Sequence, residues 1–269
     1  RKRRITEEIM IIRIRTLFPK FYNEFKKTSV IGRAIENKVV DFQTIDLKKY
    51  SRKNHRVDGH PIGGGAGRII RMEPLVNCLR ENTEKSTYKI RMSPKGHPYT
   101  QKDAIRFSKR DDICIICGHY EGIDARFEDY VDEQVSVGDY ILSGGEIPAR
   151  LISDSIIRLL KGAIADDSTK EESFSNTILE YPQYTYPLDF EGKKIPEILF
   201  CGNHKIIDDY HRKQARKDTY KYRKDLFDQR VYTRRDSKLW EEIQTGEELS
   251  PAEKQARENG KKFLPKEGR

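Results

Sequence analysis

Short apolar runs, each ending in a loop that contains glycine, alternate with helical and polar segments over the first 145 residues. Runs of this length bounded by glycine are typical of buried strands in a parallel sheet. The predicted strands are residues 11–17, 39–45, 88–92, 113–117, 135–137 and 140–142. Helical spacing at 21–25 and 72–81 falls between them, which favours an α/β fold with a mainly parallel sheet and helices on its faces.

The pattern changes after this region. Residues 148–160 have the spacing of an amphipathic helix, whose apolar side is formed by Leu151, Ile152, Ile156, Leu159 and Leu160. Residues 165–173 are polar and acidic and have no apolar anchors, which predicts a linker or a mobile lid. The chain after residue 246 is highly charged and is predicted to be a frayed tail, although Ser250-Pro251-Ala-Glu253 resembles a helix start.

A basic segment with helical spacing lies between the linker and the tail. Residues 205–235 contain eleven Lys or Arg and five Asp, a net charge of +6, with five aromatic residues between them. Basic side chains neutralise phosphates and aromatic rings stack on bases, so the segment predicts a surface that binds nucleic acid. A solvated pair of amphipathic helices with buried aromatics would give the same pattern.

Composition agrees with a polyanionic partner. The 269 residues hold 52 Lys and Arg against 43 Asp and Glu, a net charge of +9, which favours nucleic acid ahead of a membrane surface. A charged, solvated surface explains the same balance. Since no apolar run approaches the roughly 18 residues of a membrane span, we expect a soluble, cytoplasmic protein. Met10 opens the first ordered segment, so residues 1–9 are interpreted as a disordered extension.

The four cysteines do not predict a disulfide framework. Cys114 and Cys117 form a C-x-x-C, but in a strand positions three apart point to opposite faces. Buried free thiols are therefore favoured over a metal or redox pair.

Three loops that carry glycine lie close together in the sequence, at 118–122, 138–139 and 143–146. Loops that follow the strands of an open α/β sheet are where ligands bind, and glycine lets the backbone approach a ligand closely. The three loops together predict a site for a flat ligand, although each glycine alone is also explained by an ordinary turn. A nicotinamide site is disfavoured, because Gly63 to Gly67 gives no G-x-G-x-x-G after a strand.

Eight motifs follow one another along the chain at a characteristic spacing. They are Thr16-Leu-Phe-Pro19, Pro61-x-Gly-Gly-Gly-x-Gly67, Ser93-Pro-x-Gly96, Cys117-Gly-x-Tyr-Glu-Gly-Ile-Asp124, Val137-Gly-Asp-Tyr-x-Leu-Ser-Gly-Gly-Glu146, Ser173-Phe174, Glu180-Tyr-Pro-Gln-Tyr-Thr185 and Gly202-Asn-His204. Together they resemble the bacterial tRNA (guanine-N1)-methyltransferases that act at tRNA position 37, and the resemblance runs from Met10 to about Asp228.

The resemblance implies a fold that hydrophobic spacing does not reveal. In this family a deep trefoil knot of the SPOUT class lies on the C-terminal side of the sheet, and knots are rare exceptions to the usual connection rules. The implied organisation is a knotted domain at 10–164 that binds S-adenosylmethionine, a flexible linker at 165–176, an all-helical tRNA-binding domain at 177–246 and a charged tail at 247–269. The family works as a homodimer, with the active site at the subunit interface.

The resemblance also implies roles for individual residues. The cofactor would be held by Ser93, Pro94, Gly96, Gly118, Tyr120, Gly122, Val137, Gly138, Tyr140, Leu142, Gly144, Gly145 and Pro148. The tRNA would be contacted by Arg212, Lys213, Arg216, Lys217 and Arg223.

Three residues are the implied catalytic candidates. Glu172 stands where the family has an aspartate general base, with Glu171 as a nearby substitute, and a carboxylate in that place could remove the N1 proton. Arg158 matches an arginine that could stabilise charge on guanine O6. Glu121 matches a glutamate linked to Mg²⁺ as an activating ion, without direct metal ligation.

Five positions depart from the family pattern. They are Gly59 for an aspartate, Ile62 for an aromatic, His119 for an arginine, Lys161 for a proline and Tyr186 for an arginine. These departures keep two alternatives open: a catalytically impaired RNA-binding relative with the same knotted fold, and an enzyme of the same class with a shifted RNA target.

Overall fold

The computed structural model describes residues 9–52, 55–164, 174, 178–245 and 250–262. The chain divides into two compact units, 1–169 and 170–269, and the division falls inside the segment predicted as a linker. Glu171, Glu172 and most of that segment lie outside the described residues.

The first unit is built on a five-stranded sheet in which every pair is parallel. Its strands are β1 (Met10–Thr16), β2 (Val40–Asp46), β5 (Tyr88–Pro98), β6 (Asp112–Ile116) and β7 (Glu133–Ser136), in the order β2-β1-β6-β5-β7. A separate antiparallel ribbon joins β3 (Asp58–Gly59) to β4 (Ile69–Ile70). The predicted α/β class and parallel sheet are confirmed.

Four helices accompany the sheet, namely α1 (Ser29–Glu36), α2 (Met72–Asn82), α3 (Gln101–Phe107) and α4 (Glu146–Ile157). The predicted helices at 72–81 and 148–160 correspond to α2 and α4. The helix predicted at 21–25 is wrong, because two short 3₁₀ turns, Pro19–Tyr22 and Phe25–Lys27, stand there. Tyr22 ends the first turn and Phe25 begins the second, and both rings pack on Phe42.

The strand predicted at 140–142 is also wrong. The sheet ends with β7, and the hydroxyl of Ser136 accepts a hydrogen bond from the Gly138 amide, which turns the chain. Gly138 has a φ of 148°, a conformation that an L side chain rarely adopts. Tyr140 and Ile141 then lie exposed instead of pairing with a neighbouring strand.

Two hydrophobic clusters lie on the two faces of the sheet. Cys117 belongs to one cluster and Cys114 to the other, so the two thiols point to opposite faces as predicted. Both are free and buried, and burial raises the pKa of Cys114 to about 11.

The described part of the second unit contains four helices, α5 (His204–Tyr222), α6 (Lys224–Gln229), α7 (Arg234–Gln244) and α8 (Pro251–Lys262). A small antiparallel hairpin of β8 (Asp189–Phe190) and β9 (Lys193–Lys194) precedes them, so the unit is not entirely helical. The prediction of a frayed tail is wrong for α8. Its Glu253 is buried and its Arg257 bonds to Glu197 at 2.8 Å. None of the helices in the described parts of the chain is long and apolar enough to cross a membrane.

Candidate active site

A cavity of about 530 Å³ opens beside the ends of β5, β6 and β7. It is lined by the loops predicted to bind a ligand, which the parallel sheet brings to one edge because all its strands end there. Twelve of the thirteen predicted cofactor residues line it: Ser93, Pro94, Gly118, Tyr120, Gly122, Val137, Gly138, Tyr140, Leu142, Gly144, Gly145 and Pro148.

Gly96 is the exception, since it does not line the cavity. The chain from Ser93 to Gly96 forms a bulge on β5, so that Met92 and His97 both pair with Val135 of β7. A Cβ on Gly96 would collide with the backbone nitrogen of Val135. Gly96 therefore lets the bulge close against β7, and its role is to shape the loop that holds Ser93 and Pro94.

The loops after β6 and before α4 pack directly on each other. The Gly145 amide donates a hydrogen bond to the Gly118 carbonyl at 2.7 Å, and His119 and Gly144 form an antiparallel bridge. A Cβ on Gly145 would lie 2.8 Å from the Cys117 Cα, closer than real side chains approach a backbone. Gly145 is thus required here by the contact between two backbones.

A buried polar network supports this contact. Glu146, the first residue of α4, is 7% exposed and accepts a hydrogen bond from the Thr16 hydroxyl at 2.8 Å. The Tyr22 hydroxyl donates to the Glu146 carbonyl at 3.0 Å, and burial raises the pKa of Tyr22. Thr16 and Glu146 both belong to the sequence motifs but had no predicted role, because a motif does not show which of its members meet those of another.

His119 stands at the edge of this network. Its Nδ1 lies 3.8 Å from Glu146 Oε2, and its ring packs edge-on against Phe18 and Tyr120, with centroids 4.8 and 4.9 Å away. An arginine at this position would reach further than an imidazole. In this chain the histidine fills the space between the cavity and the first turn of α4.

Glu121 is the one carboxylate among the described residues that line the cavity. Its amide donates to the Arg68 carbonyl at 2.9 Å, and a Cβ on Gly67 would lie 2.5 Å from its Cγ. Gly67 has a φ of 75°, so the last glycine of the Pro61–Gly67 motif is there to accommodate Glu121.

Arg158 stands at the end of α4 that lies away from the cavity. It follows α4 at its C-terminal end, more than three turns from Glu146, which corresponds to about 18 Å along the helix. The cavity adjoins the other end of α4. The length of α4 therefore separates Arg158 from the cavity that Glu121 lines.

The outer face of α4 is more apolar than predicted. Leu151 was placed on the buried side with Ile152 and Ile156, but it is 44% exposed, and Ile147 one turn earlier is 50% exposed. Both line a groove of about 560 Å³ that also includes Phe25 and Ile31. Helical spacing alone could not distinguish Leu151 from its buried neighbours. The apolar stripe of α4 is wide enough to cover both the side that packs on the core and the side that lines the groove.

Among the described residues, one cluster has side chains of the types that bind metal ions, and it consists of His97, Asp103 and Glu133. Its carboxylates already form ion pairs. Arg106 bonds to Asp103 at 2.9 Å and to Glu133 at 2.6 Å. Burial alone would raise the pKa of Glu133, but hydrogen bonds from Arg106 and Tyr88 bring it below its ordinary value. The cluster is an ion-pair network.

Two of the five predicted RNA contacts are wrong in the folded chain. Lys213 is 1% exposed and bonds to Glu242 at 2.7 Å and Glu253 at 2.6 Å. Arg216 is equally buried and pairs with Asp236. A basic residue enclosed with carboxylates cannot neutralise a phosphate, so these two hold the helices together.

The other three predicted contacts keep some exposure. Arg212 bonds to Asp208 at 3.1 Å, Lys217 is partly buried, and Arg223 bonds to Asp225 at 2.6 Å. The aromatic residues of the segment divide in the same way. Phe227 packs on Tyr220, Tyr232 and Trp240, while Tyr222 is exposed. The buried part of the segment agrees with the interpretation as packed amphipathic helices, and for the exposed part RNA binding stays a prediction.

Comparison with known proteins identifies the family. Residues 10–229 match the model of the family described as tRNA (Guanine-1)-methyltransferase TrmD. A relative from Ureaplasma parvum, named tRNA (guanine-N(1)-)-methyltransferase, is 46% identical over 220 residues, which cover 81% of this chain and 96% of the relative. Relatives of the same name from Dictyoglomus turgidum and Clostridium acetobutylicum are 41% and 43% identical, over 86% and 85% of this chain and 96% and 95% of their own lengths. This chain belongs to the tRNA (guanine-1)-methyltransferase family.

Proposed function

We propose that this protein transfers the methyl group of S-adenosylmethionine to N1 of guanine at position 37 of tRNA. The observation that carries the proposal is the cavity at the sheet edge, which gathers twelve of the residues that the family resemblance assigns to the cofactor. The family match and the names of the relatives support the reaction and the tRNA substrate. A substrate of this kind favours the cytoplasm as the place of action.

The cavity residues fit this cofactor. Leu142, Val137 and Pro148 offer apolar surface for a flat adenine, and the glycine loops bring backbone donors and acceptors to its edge. Gly122 has a φ of 125° and open space where a Cβ would stand. Arg91 and Lys95, which both bond to Glu128, add positive charge for a carboxylate. When bound, the cofactor supplies an already activated methyl group.

The chain's own residues would then orient the guanine and manage its proton. We propose Glu172 as the general base that accepts the N1 proton, because a carboxylate at that place in the linker matches the family base. Arg158 would stabilise the negative charge that develops on O6 as the proton leaves. Mg²⁺ does not fit a resident site here, because Glu121 alone among the described lining residues offers a carboxylate. No step of the proposal uses a metal.

A homodimer would complete the site. Arg158 lies about 18 Å from the cavity end of α4, so a second subunit is needed to bring an arginine to each cavity. The exposed Ile147 and Leu151 give α4 an apolar surface of the kind that marks an interface, and a two-fold axis would pair this surface with itself. The deep SPOUT-class knot belongs to the same proposal, supported by the packing of residues 118–119 on 144–145.

One experiment tests the reaction. The protein is incubated with methyl-labelled cofactor and an unmodified tRNA transcript whose guanine 37 follows another guanine, and the labelled atom is mapped. Label at N1 of guanine 37 supports the proposal. Tight tRNA binding without label would instead indicate the catalytically impaired relative, and label on another nucleotide would indicate a shifted target.

A pair of variants tests the base. Single-turnover methylation by Glu172→Gln is expected to fall by about 10²- to 10⁴-fold, the range for loss of a general base, with cofactor binding unchanged by calorimetry. Glu171→Gln is the matched control and is expected to keep most activity. Wild-type rates for Glu172→Gln would contradict the assignment, and a loss confined to Glu171→Gln would transfer it to that residue.

A further inference from the structure

A second cavity, of about 360 Å³, lies within the C-terminal unit and has no part in the chemistry proposed above. It is formed by the segment 181–188, the strand end at Ile195, the 3₁₀ turn that includes Leu199 and Phe200, and His211 of α5. The Glu180-Tyr-Pro-Gln-Tyr-Thr185 motif supplies much of its lining, and the function proposed so far gives that motif no role.

One wall of this cavity is a flat pair of rings. Tyr181 and His211 stack with centroids 3.7 Å apart and an interplanar angle of 4°. His211 stands on α5, a helix of 19 residues, so the pair is fixed to a rigid element. A planar wall of this kind suits a flat aromatic ligand.

Aromatic side chains remain exposed at the rim. Tyr184 is 47% exposed and Tyr186 is 66% exposed, and Phe190 in the adjoining hairpin is 60% exposed. Apolar surface grouped in this way marks a binding site. Tyr186 stands where the resembled family has an arginine, so this chain places a ring where its relatives would place a charge. The substitution adds an exposed ring to the rim of the cavity.

Polar and positive groups complete the surroundings. Gln183 and Thr185 line the cavity and can hydrogen-bond the edge of a base. Lys193 and Lys194 are exposed on β9, directly before the lining residue Ile195. Without the buried Lys213 and Arg216, residues 205–235 still carry nine basic side chains against five Asp. An occupant that is aromatic and attached to a polyanion matches this arrangement.

We propose that this aromatic cavity binds one unstacked nucleobase of the RNA substrate, outside the methylation site. The proposal rests on the proposed function, because it takes tRNA as the substrate. Stacked rings hold a base of any identity through its face, while Gln183 and Thr185 select among bases through its edge. The cavity would thereby hold the RNA while its target guanine is extruded elsewhere, since enzymes that act on a base must take it out of the stack.

Removal of the rim rings tests this. Tyr184→Ala and Tyr186→Ala are each expected to weaken binding of a tRNA transcript about 5- to 150-fold, the range for loss of one base stack. The dependence of affinity on salt should stay that of the wild type, because no phosphate contact is removed. Tyr130→Ala is the matched control, since Tyr130 is an exposed tyrosine of the first unit that lines neither cavity, and it is expected to bind normally.

The charged rim gives the contrasting result. The double variant Lys193→Ala, Lys194→Ala is expected to weaken tRNA binding and also to flatten its salt dependence, in proportion to the number of phosphates that the lysines neutralise. A transcript that carries 2-aminopurine at successive loop positions provides a direct probe. Its fluorescence should be quenched at one position by the wild type and less by Tyr184→Ala.

The possible outcomes separate the two proposals. Wild-type affinity and quenching in both tyrosine variants, with weaker binding only in the lysine variant, would overturn the base-binding cavity and make a protein segment the occupant to test next. The proposed methyltransferase function would survive that result. If the wild-type protein itself failed to bind the transcript, the proposed function would fail instead. Circular dichroism and Trp240 fluorescence show that the C-terminal unit of each variant is folded, and calorimetry with S-adenosylhomocysteine shows the same for the first unit.

Discussion

Lys213 offers a sharp test of how the C-terminal unit is held together. Its ammonium lies between Glu242 of α7 and Glu253 of α8, at 2.7 and 2.6 Å, and Glu253 is itself only 3% exposed. Lys213→Met keeps the length of the side chain but leaves two carboxylates facing each other without a cation. Breaking a buried pair in this way costs about 3–5 kcal/mol, because an uncompensated charge remains inside.

The single tryptophan of the chain makes the measurement local. Trp240 stands on α7 and packs on Phe227 and Tyr220, so its fluorescence reports unfolding of the C-terminal unit. At a urea m-value of about 1.5 kcal/mol/M, a loss of about 3 kcal/mol lowers the midpoint by about 2 M. Lys221→Met, an exposed lysine two turns along the same helix, is the matched control and should leave the midpoint where it is.

A second substitution and a pH series check the cause. Glu253→Gln added to Lys213→Met removes one of the two uncompensated charges and should recover part of the lost midpoint, as expected for residues in contact. Burial lowers the pKa of Lys213, but hydrogen bonds to Glu242 and Glu253 outweigh it and raise the pKa above 10.5. The stabilisation is therefore present below that pH and is lost as pH rises through the folded-state pKa. An unchanged urea midpoint for Lys213→Met would refute the buried arrangement, and a flatter salt dependence of tRNA binding without destabilisation would restore Lys213 as a phosphate contact.

Three further predictions concern the first unit. Gly145→Ala places a methyl group 2.8 Å from the Cys117 backbone, so calorimetry should show at least about tenfold weaker binding of S-adenosylhomocysteine; normal affinity would mean that the two loops can separate. Leu151→Glu puts a charge on the exposed face of α4, through which the proposed homodimer forms. Light scattering should give a dimer for the wild type and a monomer for the variant, whereas an equal mass for the two proteins would place the interface elsewhere. Burial raises the pKa of Cys114 to about 11 and that of Cys78 to about 12. At about pH 8 a thiol reagent should therefore label the partly exposed Cys201 quickly, and it should label all four cysteines only in denaturant. Rapid labelling of more than one thiol in the folded protein would contradict the buried positions.

The sequence predicted the structure best where a residue type has a single structural role. Apolar runs predicted the central strands, because a strand covered on both faces must be apolar along its length. Glycines at the ends of short apolar runs predicted the cavity, because two backbones can approach each other closely only where a residue has no side chain. The prediction failed at Tyr140 to Leu142, where apolar residues face a cavity and not a sheet, since the pattern of apolar residues is the same in the two cases.

Basic residues were less informative, because their partners are distant in the sequence. Lys213 is neutralised by Glu253, forty residues later, and no local pattern distinguishes it from its exposed neighbours on α5. The link from Thr16 to Glu146 spans 130 residues and was invisible for the same reason. Gly96 was predicted to hold the cofactor, but it lets the bulge of β5 close against β7, since a motif shows that glycine is needed but not which backbone it must pass.

The first turn of α4 is fastened at three points, by the Gly145 amide, the Glu146 carboxylate and the Glu146 carbonyl. A helix of this length is stiff, so any tilt imposed at its beginning is carried undiminished to its other end. Filling of the cavity would therefore move the end of α4 that precedes Arg158, and in the proposed homodimer cofactor binding by one subunit would alter the affinity of the other.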